Sequence, residues 1–163
     1  MTAHPAMQVA RGHDEGEALW LLGGLYTFRA LNEETGLYTI VEVTGPGGLA
    51  IPMHYHEREE EGFYVAQGEV TIFLDDEERT LTAGGFAMAP HGVRHAFRLE
   101  TPDAALVLLI SPGPAHEAMF REMGEPAATR SIPEPLTGPP DEANLARIAA
   151  SHGTQIVGPP PGA

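Results

Sequence analysis

Two glycine-framed segments carry three histidines and one glutamate at spacings that suit β-strands. They read Gly48-x5-His54-x-His56-x4-Glu61-x6-Gly68 and Gly84-x5-Pro90-x-Gly92-x2-His95. Side chains at positions i and i+2 point to one face of an extended strand, whereas on a helix they diverge. The pair His54 and His56 therefore constrains its surroundings to be a β-strand.

The residue types in these segments predict a metal site. Imidazole and carboxylate are ligands that divalent transition ions accept, and the candidates are His54, His56, Glu61 and His95. Four ligands leave coordination positions open, which indicates catalysis or ligand binding. The chain has no cysteine, so thiolate sites are excluded. The donor set fits Ni, Mn, Fe, Co, Zn or Cu.

The composition limits the partners. Across 163 residues, 23 Asp and Glu against 9 Lys and Arg give a formal net charge of -14. Such a charge repels phosphate backbones and anionic membranes, so we expect neither nucleic acid nor membrane as a partner. The apolar run 18–28 is shorter than the about 20 residues that a membrane span needs. The first residues lack a secretion-signal pattern, and we expect one cytoplasmic domain.

Short strand patterns separated by turns fill the middle of the chain. The strand candidates are 25–31, 37–44, 62–66, 70–74, 79–81, 95–100 and 104–110, with turns at 32–36, 45–48, 75–78 and 101–103. Regular spacing of this kind predicts an all-β sandwich or barrel.

The pattern changes after Ser111. Helical spacing predicts a short helix over 115–123 whose stripe is a packing surface, formed by His116, Met119, Phe120 and Met123. A proline-rich connection, 125–140, precedes a second helix with Asp141 as its N-cap and Gly153 at its end. The tail, 158–163, is expected to fray.

Both glycine-framed segments resemble the signature motifs of the cupin superfamily, over residues 37–111. The resemblance implies a double-stranded β-helix, or jelly-roll, barrel over about 19–111 with a helical C-terminal extension over 112–163. No second His-x-His pair is present, so the chain is expected to be a monocupin. Two positions depart from the family pattern, Gly85 in place of a common aspartate and Leu99 in place of a common asparagine.

The family pattern also distinguishes candidate ligands from their neighbours in the sequence. Six residues separate Glu61 from Gly68 as in the cupin motif, so the resemblance selects Glu61 over Glu60 as the ligand. The neighbouring run Glu57-Arg58-Glu59 is expected to be a solvated rim, as charge runs usually are. His91 occupies a variable family position, and we expect no function for it.

Several segments look most like bacterial monocupins of the quercetin 2,3-dioxygenase type. They are His54-Tyr55-His56, Glu61-Gly62-Phe63-Tyr64-Val65, Pro90-His91-Gly92-Val93-Arg94-His95-Ala96-Phe97 and the tail from Pro114 to Pro160. This resemblance implies a metal-dependent dioxygenase acting on a flavonol-like or other enolic aromatic substrate, with Glu61 as both ligand and base. The alternatives are a non-redox isomerase, lyase or hydrolase acting on a polar metabolite, and a non-catalytic small-molecule-binding cupin.

Strand parity nominates apolar residues around the metal. Phe63, Val65, Phe97 and Leu99 share parity with the ligands, and Tyr38, Met53, Phe73 and Met88 could complete a substrate chamber, although each could equally be core packing. Cupins commonly pair through strands, which implies a homodimer. The segment Leu19-Trp20-Leu21-Leu22 either packs in the dimer face or covers the barrel.

Overall fold

A computed structural model describes residues 7–162, so residues 1–6 and Ala163, the last residue of the tail expected to fray, lie outside the described part. The strands are β1 Ala18–Leu21, β2 Gly24–Ala30, β3 Thr39–Thr44, β4 Met53–His56, β5 Glu60–Gln67, β6 Glu69–Leu74, β7 Glu77–Thr82, β8 Phe86–Ala89, β9 His95–Leu99, β10 Ala105–Ser111, β11 Glu125–Pro126 and β12 Thr154–Gly158. The helices are α1 Asn32–Thr35, α2 Pro114–Met123 and α3 Glu142–Ser151.

The strands form two antiparallel sheets. The larger has the order β11-β1-β2-β3-β10-β5-β8, and the smaller has the order β12-β4-β9-β6-β7. Apolar side chains from both sheets fill the space between them, among them Phe28, Val43, Phe63, Ile72, Phe97 and Leu106, each at most 1% exposed. The all-β jelly-roll prediction is confirmed.

The predicted strands all form, and the structure adds others. The helix α1 occupies the predicted turn 32–36 and ends at Gly36, whose φ of 75° suits a residue without a side chain. The strands β1 and β8 were not predicted, and β12 includes Gly158, which was expected to fray. The prediction was wrong there because β12 hydrogen-bonds along β4 and so supplies partners for its backbone.

The C-terminal extension packs on the barrel through its helices. Met119 and Phe120 of α2 and Ile148 of α3 are buried in the same core cluster as the barrel residues. The Glu117 carboxylate accepts hydrogen bonds from the Asn32 backbone N–H and the Thr39 hydroxyl. As predicted, Asp141 caps α3, because its carboxylate accepts a hydrogen bond from the Asn144 N–H at 3.0 Å.

The apolar segment 19–22 covers the barrel of its own chain. Leu19 and Leu21 are 3% and 5% exposed. The indole Nε1–H of Trp20 donates to the Ser131 carbonyl at 2.9 Å, which ties the proline-rich connection to β1. Among residues 7–162, no helix combines the length and the apolar character needed to cross a membrane.

Candidate metal centre

Strand pairing brings the four predicted ligands together at one end of the barrel. His54 and His56 alternate inward on β4, and His95, the first residue of β9, lies opposite His54. Glu61 reaches the same point from β5 in the larger sheet. One potential ligand atom from each of the four side chains lies within 4.8 Å of the others. All four are buried, and the rival Glu60 is exposed.

The shortest contacts centre on the Glu61 carboxylate. Its Oε2 atom lies 2.9 Å from the Nε2 atoms of both His56 and His95. Those two Nε2 atoms are 3.2 Å from each other. The His54 ring packs against both other imidazoles, with centroid separations of 4.9 Å to His56 and 4.3 Å to His95. The Nε2 edges of His56 and His95 therefore converge on the carboxylate.

Hydrogen bonds at the outer nitrogens fix the orientation of the rings. The Nδ1 atoms of His54 and His95 face the carbonyl oxygens of Pro52 and Val93, each at 2.8 Å. Carbonyls only accept hydrogen bonds, so both Nδ1 atoms carry the proton, and in the neutral imidazole the Nε2 atom carries a lone pair. The His56 Nδ1 atom lies 2.9 Å from the hydroxyl Oγ1 of Thr154 on β12.

The charges inside the cluster favour a cation next to Glu61. Burial would raise the pKa of the Glu61 carboxyl, but hydrogen bonds and charges from His56 and His95 hold that pKa well below its ordinary value. Burial also opposes protonation of His95, but the Glu61 hydrogen bond raises its pKa overall. For His54, burial and the neighbouring imidazoles lower the pKa well below its ordinary value.

This donor set fits a divalent ion. A proton shared between two side chains reduces the repulsion between converging lone pairs at only one nitrogen. One divalent ion can instead accept three imidazole lone pairs and a carboxylate oxygen at once. Outer hydrogen bonds such as those of Pro52, Val93 and Thr154 are typical of metal-bound histidines, because they orient the ring and fix its tautomer. The buried group of three histidines and one glutamate therefore indicates a divalent metal.

A narrow, mostly apolar cavity adjoins the ligands. Its volume is about 60 Å³. His54 and Glu61 line it from the barrel, and the rest of its wall comes from both the barrel and the extension: Leu21, Leu22, Tyr26, Ile51, Pro52, Phe97, Leu108, His116, Met119, Phe120, Met123, Leu145, Ala149, Thr154 and Ile156. A molecule held in this cavity would lie beside His54 and Glu61.

Of the eight predicted substrate-lining residues, only Phe97 lies on this wall. Phe63 packs behind the site, with its ring 5.6 Å from that of His95. Val65 and Leu99 are fully buried in the core. Strand parity separates inside from outside, but side chains fill most of the interior, and only the ligand end is open.

The remaining four predicted lining residues lie outside the cavity. Phe73 packs under the Arg98 guanidinium, and Met88 is 49% exposed on the outer face of its sheet. Tyr38 lines a surface cleft beside Arg11. Met53 is only partly buried, because it alternates with the inward-facing His54 on β4.

Sequence reasoning missed two polar residues beside the site. His116 on α2 lies edge-on to His56 with ring centroids 4.3 Å apart, and burial and the neighbouring His56 lower its pKa to about 3. Glu59 is 3% exposed, and its Oε2 atom has no hydrogen-bond partner. The solvated-rim prediction was wrong for Glu59 because it lies two residues before Glu61 and therefore shares its inward direction.

Glu59, His116 and His56 also place their ligand atoms within 4.8 Å of one another. Both ring nitrogens of His56 already have a partner. One lies beside Glu61 in the metal cluster, and the other lies beside the Thr154 hydroxyl. Only two independent ligands remain, so we interpret Glu59 and His116 as a polar wall and not as a second metal site. The helical spacing of His116 with Phe120 was the one sequence signal that placed it on a buried face. His91 is exposed.

Comparisons with known proteins agree with this architecture. Residues 40–111 match the family described as the cupin domain. A quercetin 2,3-dioxygenase from Bacillus subtilis (strain 168) is 34% identical over 113 residues, which are 69% of this chain and 33% of that protein. A quercetin 2,3-dioxygenase from Aspergillus japonicus is 25% identical over 129 residues, which are 74% of this chain and 37% of that protein.

The chain thus spans about a third of the length of the curated relatives it matches. Among solved structures, KdgF from Halomonas sp. is 29% identical with a TM-score of 0.54, over 58% of this chain and 85% of that one. Two antiparallel sheets, four candidate ligands at one end of the barrel and the match over residues 40–111 identify a cupin domain in this chain, which resembles the quercetin 2,3-dioxygenases.

Proposed function

We propose that the protein is a metal-dependent dioxygenase that cleaves an enolic aromatic substrate of the flavonol type. One observation carries the proposal: the buried group of three histidines and one glutamate faces a cavity whose wall is mostly apolar. An apolar wall suits an aromatic ring and excludes water from a reactive site. The two curated relatives named quercetin 2,3-dioxygenase support the reaction class.

The four side chains would have different roles in the reaction. His54, His56 and His95 would hold the ion through Nε2, and their outer hydrogen bonds keep the rings in place. The ion, when bound, supplies the positive charge that stabilises an enolate oxygen and the redox capacity for reaction with dioxygen. Glu61 is ionised and lines the cavity, so one of its carboxylate oxygens would accept the enol proton. The expected products are an opened ring and carbon monoxide.

Turnover of quercetin tests the proposal. Purified protein loaded separately with Ni, Mn, Fe, Co, Zn or Cu would be mixed with quercetin in air and under argon. We expect loss of flavonol absorbance and release of carbon monoxide in air only, with at least one of the metals. No loss with any of them would remove this substrate assignment. Binding without turnover would favour a non-catalytic binding cupin.

A second candidate function rests on the polar part of the wall. His116 and Thr154 line the cavity, and Glu59 adjoins it, so a small polar metabolite would find hydrogen-bond partners beside the metal. This arrangement suits a non-redox isomerase, lyase or hydrolase. Activity of the zinc-loaded protein under argon toward sugars or keto acids would identify this class instead.

We also infer that the protein is a homodimer. Four apolar side chains are 43% to 61% exposed on the outer face of the larger sheet: Tyr64 on β5, Phe86 and Met88 on edge strand β8, and Leu109 on β10. The strand register makes them neighbours, with Tyr64 opposite Phe86. A contiguous apolar patch at a sheet edge favours self-association. Light scattering should give twice the chain mass, and Phe86→Glu should give the monomer.

A further inference from the structure

We propose that the groove beside the metal cavity is a second part of the same binding site and holds the distal ring of an elongated substrate, one in which an aromatic ring is attached to the enolic ring system. This groove, here called the outer groove, has a volume of about 520 Å³. It lies between the β1 end and the extension, and its lining includes Trp20, Leu136, Thr137, Asp141 and Asn144. The proposal deepens the proposed function, because it assigns the shape of the substrate.

The outer groove and the metal cavity share part of their walls. Four side chains line both spaces: Leu21, Leu22, Met123 and Leu145. The two spaces are therefore separated by a single layer of side chains. Leu22, Met123 and Leu145 are only partly buried, so rotamer changes can open the layer without unfolding a core residue.

Neither space is sufficient by itself. The metal cavity has about 60 Å³ and borders His54 and Glu61, so it has the reactive groups but little room. The outer groove has about 520 Å³ but no metal ligand among its described lining residues. Sites for drug-sized molecules usually have about 300–1,000 Å³. A molecule that places its reactive oxygen at the metal must extend beyond the cavity, and the groove is the adjoining space.

The backbone at Leu22 points to the same conclusion. Leu22 and Gly23 form the two-residue turn between β1 and β2, and both have positive φ, 50° and 85°. Such turns favour asparagine or glycine at the first position, because a branched side chain is strained there. A leucine at this position costs stability, and its side chain forms the boundary between the two spaces. Strain of this kind is typical of functional sites.

The lining of the groove defines the chemistry of its occupant. Trp20 and Leu136 offer apolar surface, and Thr137 and Asn144 offer hydrogen bonds. Glu125 and Asp141 make the groove acidic, so it disfavours an anionic end. The occupant is therefore a neutral aromatic ring with hydroxyl substituents, joined to the enolic ring that reaches the metal.

Anaerobic calorimetric titration of the zinc-loaded protein tests the proposal without turnover. The two probes are 3-hydroxyflavone and 3-hydroxychromone, which carry the same chelating group on the same fused ring system and differ only in the distal phenyl ring. The matched variants are Leu136→Asp and Ile132→Asp. Both residues are exposed, 57% and 46%, and belong to the same proline-rich segment, but only Leu136 lines the groove.

We expect Leu136→Asp to weaken flavonol binding about fivefold or more, because an apolar contact is replaced by a charge. The chromone affinity should not change, and Ile132→Asp should change neither affinity. Equal flavonol affinities for the two variants would overturn the proposal. Failure of the flavonol to bind the wild-type protein would also overturn it.

A second variant tests the boundary. Leu22→Asn suits the left-handed backbone, so the midpoint of thermal unfolding should be retained or raised. Flavonol affinity should still fall, because the side chain that separates the two spaces is replaced. An unchanged flavonol affinity would contradict the role of Leu22. Binding that responds to Leu136→Asp in a protein that shows no turnover in air would keep the groove and reject the dioxygenase.

Discussion

The metal end of the barrel and the C-terminal extension contribute in different ways to one site. All four candidate ligands lie within residues 54–95, inside the segment that matches the cupin family. Most of the described cavity wall lies outside residues 40–111, on β1, β2, α2, α3 and β12. The segment that matches the cupin family therefore supplies the candidate ligands, and the first hairpin and the extension supply most of the cavity wall.

This difference indicates which part of the chain would determine the choice of substrate. Ligand geometry is set by hydrogen bonds between neighbouring strands, which leave little freedom at His54 and His95. The extension instead meets the cavity through side chains such as Met119 and Leu145, which can change without moving a ligand. Variation in the extension would therefore change the shape of the cavity without moving the candidate ligands.

The largest effect should come from a ligand that belongs to the barrel alone. Glu61→Gln keeps the shape of the side chain but removes the only negative charge among the four candidate ligands. We expect metal affinity to fall by more than about 100-fold, since even partners outside the ligand set are worth about 10- to 100-fold. Metal analysis and competition with a chelator measure the loss. Glu60→Gln, the adjacent exposed residue, is the control, and an equal loss there would reject the assignment of Glu61.

The second test weakens the extension and leaves the ligands in place. Ile148→Ala removes a buried side chain of α3 that is 4% exposed. Such a change typically lowers the free energy of unfolding by about 2–3 kcal/mol. Denaturation followed by Trp20 fluorescence measures it, with the exposed Arg147→Ala as control. Loss of bound metal from the folded variant would show that the two regions are less separate than the structure indicates.

The third test addresses the residue that joins the two regions. Thr154 belongs to the extension, and its hydroxyl lies 2.9 Å from the Nδ1 atom of His56. Thr154→Val removes this hydrogen bond, so metal affinity should fall about tenfold. Thr154→Ser keeps the hydroxyl and should restore most of the affinity. If valine and serine behaved alike, packing of β12 and not its hydroxyl would matter.

The smallest effect should be confined to the extension. Asp141→Ala removes the cap of α3 and should cost about 1 kcal/mol of the free energy of unfolding. Asp141→Asn should cost less, because an amide oxygen can also accept the bond from Asn144. Thermal unfolding of the zinc-loaded protein separates the two. A change in metal affinity in either variant would contradict the proposed independence of the metal end.

The sequence predicted the convergence of the four side chains better than it predicted the cavity wall, for a physical reason. His54, His56, Glu61 and His95 follow from strand alternation and from motif spacing, both of which are local properties of the chain. The wall depends on contacts between distant segments, such as that of His116 with His56, which are separated by 60 positions in the sequence. Strand alternation correctly predicted that Val65 and Leu99 face the barrel interior. It does not show how far along the barrel the cavity extends.

The pairing of β12 with β4 has a consequence for biosynthesis. When the ligand strand leaves the ribosome, its outer edge is bare, and it stays so until the chain has been made as far as β12, about a hundred residues later. Metal capture should therefore be a late event in folding. Nascent chains interrupted before Thr154 would bind the ion weakly. Their β4 strand would expose unpaired backbone groups that chaperones can bind.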